Sequence, residues 1–173
     1  MKTIYTIGFT GKKGRAREFF KLLNDNKVTF LIDVRLHNTS QLDGYSHTMD
    51  LEYMCELNKI RYTNDKKFAP EELTLKKWQA HEEKKDKYTD RKTGLSYDSI
   101  DWNGYEIEFD DTMCSRDISD YIERIYGADL NSEIICLQCT EPTAEHCHRR
   151  LVANYFAGVY KEMTDQEMKI VHL

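Results

Sequence analysis

The sequence predicts an α/β fold, a mostly parallel sheet with helices on both faces, and three observations support this prediction. Short β-branched and apolar runs alternate with segments of helical periodicity along the chain. The apolar runs are nearly continuous, which is typical of strands that are buried on both faces. The 173 residues contain no Pro/Gly/Ser-rich linker, so a single domain with one core is expected.

The first elements form a strand, helix, strand unit. Residues 3–7 (TIYTI) and 29–34 (TFLIDV) are β-branched and apolar runs, and both predict buried strands. The apolar residues between them fall on one side of a helical period: Phe19, Phe20, Leu22 and Leu23. The unit has the length of a parallel crossover, which indicates the beginning of an α/β domain.

The alternation continues through the rest of the chain. Residues 50–57 (DLEYMCEL) predict a helix, residues 60–62 a short strand, and residues 133–137 (EIICL) a third buried strand. A helix is predicted after that strand from apolar residues at helical spacing: Leu151, Val152, Tyr155, Phe156 and Val159. Residues 168–173 predict a closing strand.

Residues 66–111 break this pattern with dense charge and little sustained periodicity. We interpret them as an insertion or lid within the single α/β domain. The alternative is a solvated pair of helices whose aromatic side chains anchor it to the core. The aromatic residues concerned are Trp78, Tyr88, Tyr97, Trp102 and Tyr105.

Composition excludes several classes of protein. Five cysteines without regular spacing do not form the framework of a small secreted fold, and a reducing compartment would keep them as thiols. The opening MKTIYTIGFTGKKGR lacks a secretory apolar run, and no stretch approaches the roughly 20 apolar residues that span a bilayer. We therefore expect a cytoplasmic protein with no membrane partner. A net charge of −5 opposes broad adhesion to nucleic acid, although local basic patches would still permit binding.

Polar residues follow three of the predicted strands, at ends that should share one edge of a parallel sheet, where ligands usually bind. The first turn, residues 8–15 (GFTGKKGR), offers Gly8, Thr10 and Lys12 as candidate ligand-binding residues. Its glycines and cations suit phosphate, but the spacing matches neither a P-loop nor a dinucleotide fingerprint. A plain basic turn explains this segment equally well.

Asp33 and Arg35 follow the second predicted strand. Because two positions separate them, strand alternation points both side chains to the same side, and an ion pair is easy to form. An arginine held in this way could present a fork of donors to phosphate or carboxylate. The alternative is that Asp33 only orients Arg35 or caps a neighbouring helix.

The segment 136–150 (CLQCTEPTAEHCHRR) carries the densest set of reactive residues. Cys136 and Cys139 are three positions apart and should face opposite sides of a strand, so Cys136 is expected to be a small buried hydrophobe. Cys147 and His148 come near the start of the last helix. Its amide dipoles would make Cys147 more thiolate-like.

Four interpretations of this segment remain open. The first is thiol chemistry, with Cys139 or Cys147 as nucleophile and His148 or Glu141 handling protons. The second is a metal site, whose ligands would be Cys136, Cys139, Cys147 and either His148 or His146. Its C-x2-C-x7-C-H spacing is imperfect, because the first two cysteines fall on an apolar strand. The third is a redox pair of Cys139 and Cys147, and the fourth is packing thiols beside surface cations.

These residues resemble a bacterial family catalogued as domain of unknown function 488, over nearly the whole chain. The resemblance is carried by TIYTIGFT, FLIDVRLHNTS and CLQCTEPTAEHCHRRLVANYF, where the family shows Cys-x-Glu and then Cys-His-Arg. It implies an α/β domain with a shared site: Asp33, Arg35, Cys139, Glu141, Cys147, His148 and Arg149.

This chain departs from the family pattern at three places. The family has His-Ser where this chain has Phe9-Thr10, and Pro where it has Asn38. The family also carries a Gly-rich loop where residues 64–68 read NDKKF. Substrate preference could therefore differ, and the resemblance itself implies no reaction.

The leading hypothesis is an enzyme acting on a phosphate-bearing or nucleotide-like ligand, although the sequence leaves open whether the protein is an enzyme. The expected catalytic residues are Cys139, Glu141, Cys147 and His148. The expected ligand-binding residues are Gly8, Thr10, Lys12, Asp33, Arg35 and Arg149. No metal is assigned and no cofactor is named.

Two alternatives stand beside this hypothesis. One is a module that binds nucleic acid or a partner, whose phosphate-binding cations would be Lys12, Lys13, Arg15, Arg17 and Arg149. The other is a structural domain organised around a metal ion.

Overall fold

A computed structural model describes residues 2–12, 15–39 and 44–173 of the chain. Its main sheet contains the strands β1 (Lys2–Gly8), β2 (Phe30–Asp33), β3 (Arg61–Asn64), β6 (Ile135–Cys139) and β7 (Met168–His172). These five strands are all parallel and lie in the order β3-β2-β6-β1-β7. The remaining strands, β4 (Lys87–Thr89) and β5 (Ser96–Asp98), form an antiparallel hairpin. The predicted α/β class with a parallel sheet is confirmed.

Six α-helices occur within the described ranges: α1 (Ala16–Asp25), α2 (Thr48–Leu57), α3 (Glu72–Glu82), α4 (Trp102–Ser115), α5 (Ile118–Ser132) and α6 (His148–Thr164). None of the helices described combines the length and the apolar character needed to cross a bilayer.

The chain divides into two compact units. One consists of the described residues up to Ala69 together with Asp117–Leu173, and the other is Pro70–Arg116. The first unit holds the parallel sheet with α1, α2, α5 and α6. The second holds α3, the hairpin and α4, where the indole ring of Trp102 stacks on Tyr105 with 4.8 Å between centroids.

Helices α1 and α2 pack against one face of the sheet. Phe19 and Leu23 of α1 and Leu51 of α2 are fully buried and belong to a core cluster with Leu31 of β2 and Cys136 of β6. In α1 the buried positions recur at three- and four-residue intervals, which places them on the helix face toward the sheet. Burial of each such side chain contributes about 1.5–3 kcal/mol.

The other face of the sheet is covered by an aromatic cluster from α5, α6 and the segment after β3. Phe68 and Phe156 are fully buried with ring centroids 5.2 Å apart, and Tyr126 lies 5.6 Å from Phe156 and 6.1 Å from Phe30 of β2. The sheet is therefore buried on both faces, which is why its strands read as continuous apolar runs.

Strands β3 and β6 and helix α5 differ from the sequence expectations. Strand β3 ends at Asn64 rather than at residue 62. Strand β6 runs two residues further than residues 133–137, so Cys139 is its last residue rather than part of the following loop. Helix α5 was not predicted at all, although its buried residues Ile118, Ile122, Tyr126 and Leu130 recur every four positions. That spacing is a helical signal, and the charged residues between these positions masked it.

Candidate functional site

The carboxyl ends of β1, β2 and β6 form one edge of the sheet. Gly8 is the register partner of Cys139, and Asp33 is the partner of Gln138. Side chains alternate along a strand and register partners share a face, so Asp33 projects to the α1 side and Cys139 to the α6 side. The candidate residues therefore form two groups, a thiol cluster (Cys139, Cys147 and His148) and the Asp33–Arg35 pair.

The thiol cluster is assembled from the end of β6 and the start of α6. Cys139 is the last residue of β6, Cys147 is the residue at the N-cap of α6, and His148 is the first residue of that helix. All three are buried, and one potential metal-ligand atom from each lies within 4.8 Å of the other two. The loop between the two elements brings together residues eight positions apart in the sequence.

The imidazole of His148 is fixed by a main-chain contact. Its Nε2 atom lies 2.9 Å from the carbonyl oxygen of Val34, and that oxygen can only accept a hydrogen bond. Nε2 therefore carries the proton in the neutral ring, which leaves the lone pair on Nδ1. Nδ1 lies 3.8 Å from Cys139 Sγ.

The two thiols of the cluster have opposite pKa shifts. A hydrogen bond from the Cys147 thiol lowers the pKa of Cys139, helped by the Thr140 main-chain N–H and by the charge of Arg149. Burial raises the pKa of Cys147, and the neighbouring Cys139 raises it further. The expectation that the helix start lowers the pKa of Cys147 and makes it more thiolate-like is therefore wrong. Burial beside a second sulfur raises the pKa of this thiol instead.

Arg149 follows His148 in α6 and is fully buried, and its charge favours the thiolate forms of Cys139 and Cys147. Its Nη1 atom donates a 2.6 Å hydrogen bond to the main-chain oxygen of Glu141, whereas its Nε has no partner within the described part of the chain. The side chain of Glu141 itself is exposed. Arg149 therefore holds the loop after β6 and keeps a buried N–H for another acceptor.

Gly8 allows the β6 loop to approach the end of β1. A Cβ atom at this position would lie 1.7 Å from the main-chain oxygen of Glu141, a distance no side chain can tolerate. Thr10 fastens the same loop, since its Oγ1 donates to the Thr140 oxygen at 2.7 Å. Gly8 and Thr10 therefore hold the loop after β6 against the end of β1. The ligand-binding role predicted from the sequence remains a separate prediction.

Lys12 makes a hydrogen bond to the last residue of the chain. Its Nζ donates to the main-chain oxygen of Leu173 at 3.0 Å, and burial lowers its pKa, with a smaller contribution from Arg149. Lys13 and Gly14, which belong to the same basic turn, lie outside the described residues.

The Asp33–Arg35 pair is a buried, bidentate ion pair. Nε and Nη2 of Arg35 donate to the two carboxylate oxygens of Asp33 at 2.8 and 2.6 Å. The Tyr62 hydroxyl donates to the same carboxylate at 2.9 Å, and Nη2 also reaches the Ser46 oxygen at 2.9 Å. Asp33 therefore positions Arg35. The Nη1 atom of Arg35 has no partner among the residues that can be described.

Val34 connects the two groups. Its main-chain N–H donates to the Gln138 oxygen at 3.0 Å, and its own oxygen accepts from His148. The pKa of Arg35 is raised by its hydrogen bond and charge interaction with Asp33, which outweigh burial, and Cys139 adds a smaller raising contribution. The two groups thus share one edge of the sheet while their side chains project to opposite faces.

The structure brings some predicted residues together and keeps others apart. Cys136 lies in the core cluster on the α1 face, and burial raises its pKa far above the ordinary value. The side chain of His146 is exposed. Neither residue belongs to the group of three potential ligands, so the four-ligand set considered from the sequence is not formed by the described residues.

Sequence reasoning missed a second carboxylate at this sheet edge. Asp65 follows β3, its N–H donates to the Asp33 oxygen at 3.0 Å, and its carboxylate accepts from the hydroxyls of Tyr121 and Tyr126 at 2.8 and 2.6 Å. Asp65 directly follows β3, but the strand predicted from the sequence ended at residue 62, so Asp65 was not recognised as a residue at a strand end. Its tyrosine partners come from α5, the helix that was not predicted.

The chain matches one protein family. A family model described as "Domain of unknown function DUF488" matches residues 15–156, which include the thiol cluster, Arg149 and the Asp33–Arg35 pair. No curated protein and no solved structure matches the chain.

Proposed function

The chain belongs to the family described as domain of unknown function DUF488, and for this member we propose an enzyme that acts on a phosphate-bearing ligand at the thiol cluster. The observation that carries the proposal is a fully buried arginine, Arg149, whose charge acts on both cysteines of the thiol cluster. Cationic and reactive groups of this kind are seldom buried together without a chemical task.

The thiol cluster supplies the reactive groups. Sulfur and imidazole can both attack an electrophile or move protons, and a buried site protects such chemistry from water. Glu141, exposed on the connecting loop, is the candidate for exchanging protons with solvent. His148 is held in one tautomer by Val34, which gives its Nδ1 a defined role as acceptor.

Positive charge at the same place indicates an anionic ligand. Cys147 is the N-cap residue of the 17-residue helix α6, and its side chain makes no capping hydrogen bond to the helix, so the partial positive charge of the helix start is directed at the cluster. Arg149 retains a buried N–H without a partner among the described residues, and Arg35 retains another at the same sheet edge but on its opposite face. A guanidinium with unused donors suits phosphate, and nucleotides belong to the class of ligand that it would bind.

The nucleic-acid alternative has less support. It requires Arg149 at the surface, but Arg149 is fully buried, and Lys12 already donates to the Leu173 oxygen. A long polyanion reaches surface cations, whereas a small phosphate-bearing molecule can enter a buried site.

Turnover of a panel of phosphomonoesters, phosphodiesters and nucleotides tests the proposal. We expect Cys139→Ser to lower turnover by about 100-fold or more, because it removes a reacting group. Cys136→Ser is the matched control, since Cys136 is equally buried on the same strand but projects to the opposite face. Equal losses in the two variants, full activity in Cys139→Ser, or a panel without any substrate would contradict the proposal.

A further inference from the structure

We propose that the thiol cluster is a zinc site, with Cys139 Sγ, Cys147 Sγ and His148 Nδ1 as ligands and a fourth position open to water or substrate. The inference deepens the proposed function, on which its chemical part rests, by naming a cofactor for the same site. With zinc bound, the two sulfurs and the imidazole would act as ligands rather than as nucleophiles or proton carriers, and the metal would supply the reactivity at its open position. Binding of the metal can be measured without any substrate.

The distances of the cluster match those of a tetrahedral zinc centre. Bond lengths of about 2.3 Å to sulfur and about 2.0–2.1 Å to nitrogen place neighbouring S and N ligands roughly 3.6 Å apart and two sulfurs roughly 3.8 Å apart. The observed distance from Cys139 Sγ to His148 Nδ1 is 3.8 Å, and all three potential ligand atoms lie within 4.8 Å of one another. Shifts of a few tenths of an ångström to one ångström would complete the site.

The histidine is already oriented as a ligand. Metal-binding histidines commonly donate the N–H of one ring nitrogen to a carbonyl or carboxylate, which fixes the ring and leaves the other nitrogen for the metal. His148 does this through Nε2 and the Val34 oxygen, 2.9 Å apart. The lone pair then lies on Nδ1, and Cys139 Sγ is 3.8 Å from this atom and also 3.8 Å from Nε2.

The number and type of ligands indicate a reactive zinc site. Structural zinc sites usually have four protein ligands, whereas catalytic sites have three and keep one position open. The group formed by the described residues has three members. Two sulfurs and an imidazole favour zinc over magnesium or calcium, which prefer oxygen ligands.

Charge balance supports the same assignment. Two buried thiolates would carry two negative charges, and a divalent cation neutralises both, which removes the cost of burying them. Arg149 then keeps its positive charge for an anionic ligand instead of for the sulfurs. A phosphate bound at the open position would meet both the metal and the guanidinium.

Metal binding by the full-length protein tests the inference. The protein, purified without chelators and then saturated with Zn²⁺, should hold one ion per chain by elemental analysis. Replacement by Co²⁺ should give the sulfur-to-cobalt charge-transfer absorption of a thiolate site, and His148→Gln should weaken Zn²⁺ binding by at least 100-fold. Cys136→Ser should bind as tightly as the wild type.

A measurement on the wild type avoids variants that fail to fold. Because both thiols are buried, alkylation of Cys139 and Cys147 is slow even in the metal-free protein. Bound Zn²⁺ should slow it by a further factor of about ten or more relative to Cys136, and a chelator should reverse this added protection, as read over hours by peptide mass spectrometry. No stoichiometric metal, no charge-transfer absorption, or protection that ignores the chelator would overturn the inference.

The two proposals fail in different ways. If the protein binds no zinc but turnover still depends on Cys139, the enzyme acts through its thiols alone and only the metal is wrong. If zinc binds stoichiometrically and no phosphate-bearing compound is turned over, the metal site stands and the proposed function fails.

Discussion

The Nε2 atom of His148 donates to the main-chain oxygen of Val34 across 2.9 Å, and this single contact ties α6 to the end of β2. Val34 stands between Asp33 and Arg35, so the same contact couples the thiol cluster to the Asp33–Arg35 pair. The two groups share a sheet edge, but their side chains project to opposite faces. A substitution in one group should therefore shift the side chains of the other group through the backbone of residues 33–35.

Removal of one partner from the Asp33–Arg35 pair should be strongly destabilising. Asp33→Asn leaves the Arg35 charge buried without its counter-ion, and the free energy of unfolding should fall by about 3–5 kcal/mol. Urea denaturation at neutral pH measures this loss. The matched control is Asp25→Asn, because the Lys21–Asp25 pair is 61% and 57% exposed and should contribute only about 0–1 kcal/mol. Similar losses of stability in the two variants would mean that the buried pair contributes no more to stability than the exposed pair.

Gly8→Ala should disrupt the sheet edge. The new methyl group would lie 1.7 Å from the Glu141 oxygen, so the loop after β6 must move, and we expect a loss of about 4 kcal/mol or more in stability. Gly158→Ala is the control. Gly158 lies inside α6 with open space around the new Cβ, and alanine there should stabilise by about 0.5–1 kcal/mol. Thermal unfolding should show a lower melting temperature for Gly8→Ala and a higher one for Gly158→Ala than for the wild type.

Stability at alkaline pH should depend on the tyrosines around Asp65. Burial, and then the hydrogen bond to Asp65, raise the pKa of Tyr121 to about 12 from its ordinary 10.0, and they raise that of Tyr126 further. A raised pKa in the folded state means that the stabilisation is complete below pH 10 and is lost as the pH rises through about 12. Tyr126→Phe should therefore be less stable at pH 7 but lose less stability in the alkaline range.

The control for this titration is Tyr53→Phe, because Tyr53 is 59% exposed. Free energies of unfolding measured at several pH values should follow the wild-type curve in this variant. If the stability of Tyr126→Phe fell with alkaline pH as steeply as that of the wild type, the Tyr126 hydroxyl would not be the group whose ionisation causes the loss.

Only one cysteine should react quickly in the folded, metal-free protein. Cys114 is exposed, while Cys55, Cys136, Cys139 and Cys147 are buried. Burial raises the pKa of Cys55 to about 12, so it holds almost no thiolate at neutral pH. A colorimetric thiol reagent should titrate one thiol rapidly in the native state and none rapidly in Cys114→Ser. Two or more fast thiols in the wild type would contradict the burial described above.

Local patterns in the sequence were sufficient to predict the class of fold and the location of the candidate site. Continuous apolar runs predicted buried parallel strands, and the rule that parallel strands end at one edge predicted that Gly8, Asp33 and Cys139 would be close. The two-residue error at β6 arose because Gln138 and Cys139 do not look like strand residues. Gln138 is nevertheless fully buried in the sheet, with no partner for its amide among the described residues.

Long-range contacts could not be predicted in the same way. The roles of Tyr62 and Val34 depend on register between strands that are distant in sequence, and no local pattern reports register. The predicted direction of the Cys147 pKa shift was wrong for a similar reason. A helix start is visible in the sequence, whereas complete burial beside a second sulfur is not.

The central claim is that the thiol cluster and Arg149 form one site for a phosphate-bearing ligand. Calorimetric titration with inorganic phosphate tests it most directly in the wild type, in Arg149→Lys and in the neighbouring control Arg150→Lys, with folding of each checked by circular dichroism. We expect Arg149→Lys to weaken phosphate binding by about tenfold or more, because lysine cannot reproduce the planar fork of donors, and Arg150→Lys to bind like the wild type. Equal affinities in all three proteins, or no binding by the wild type, would contradict the claim.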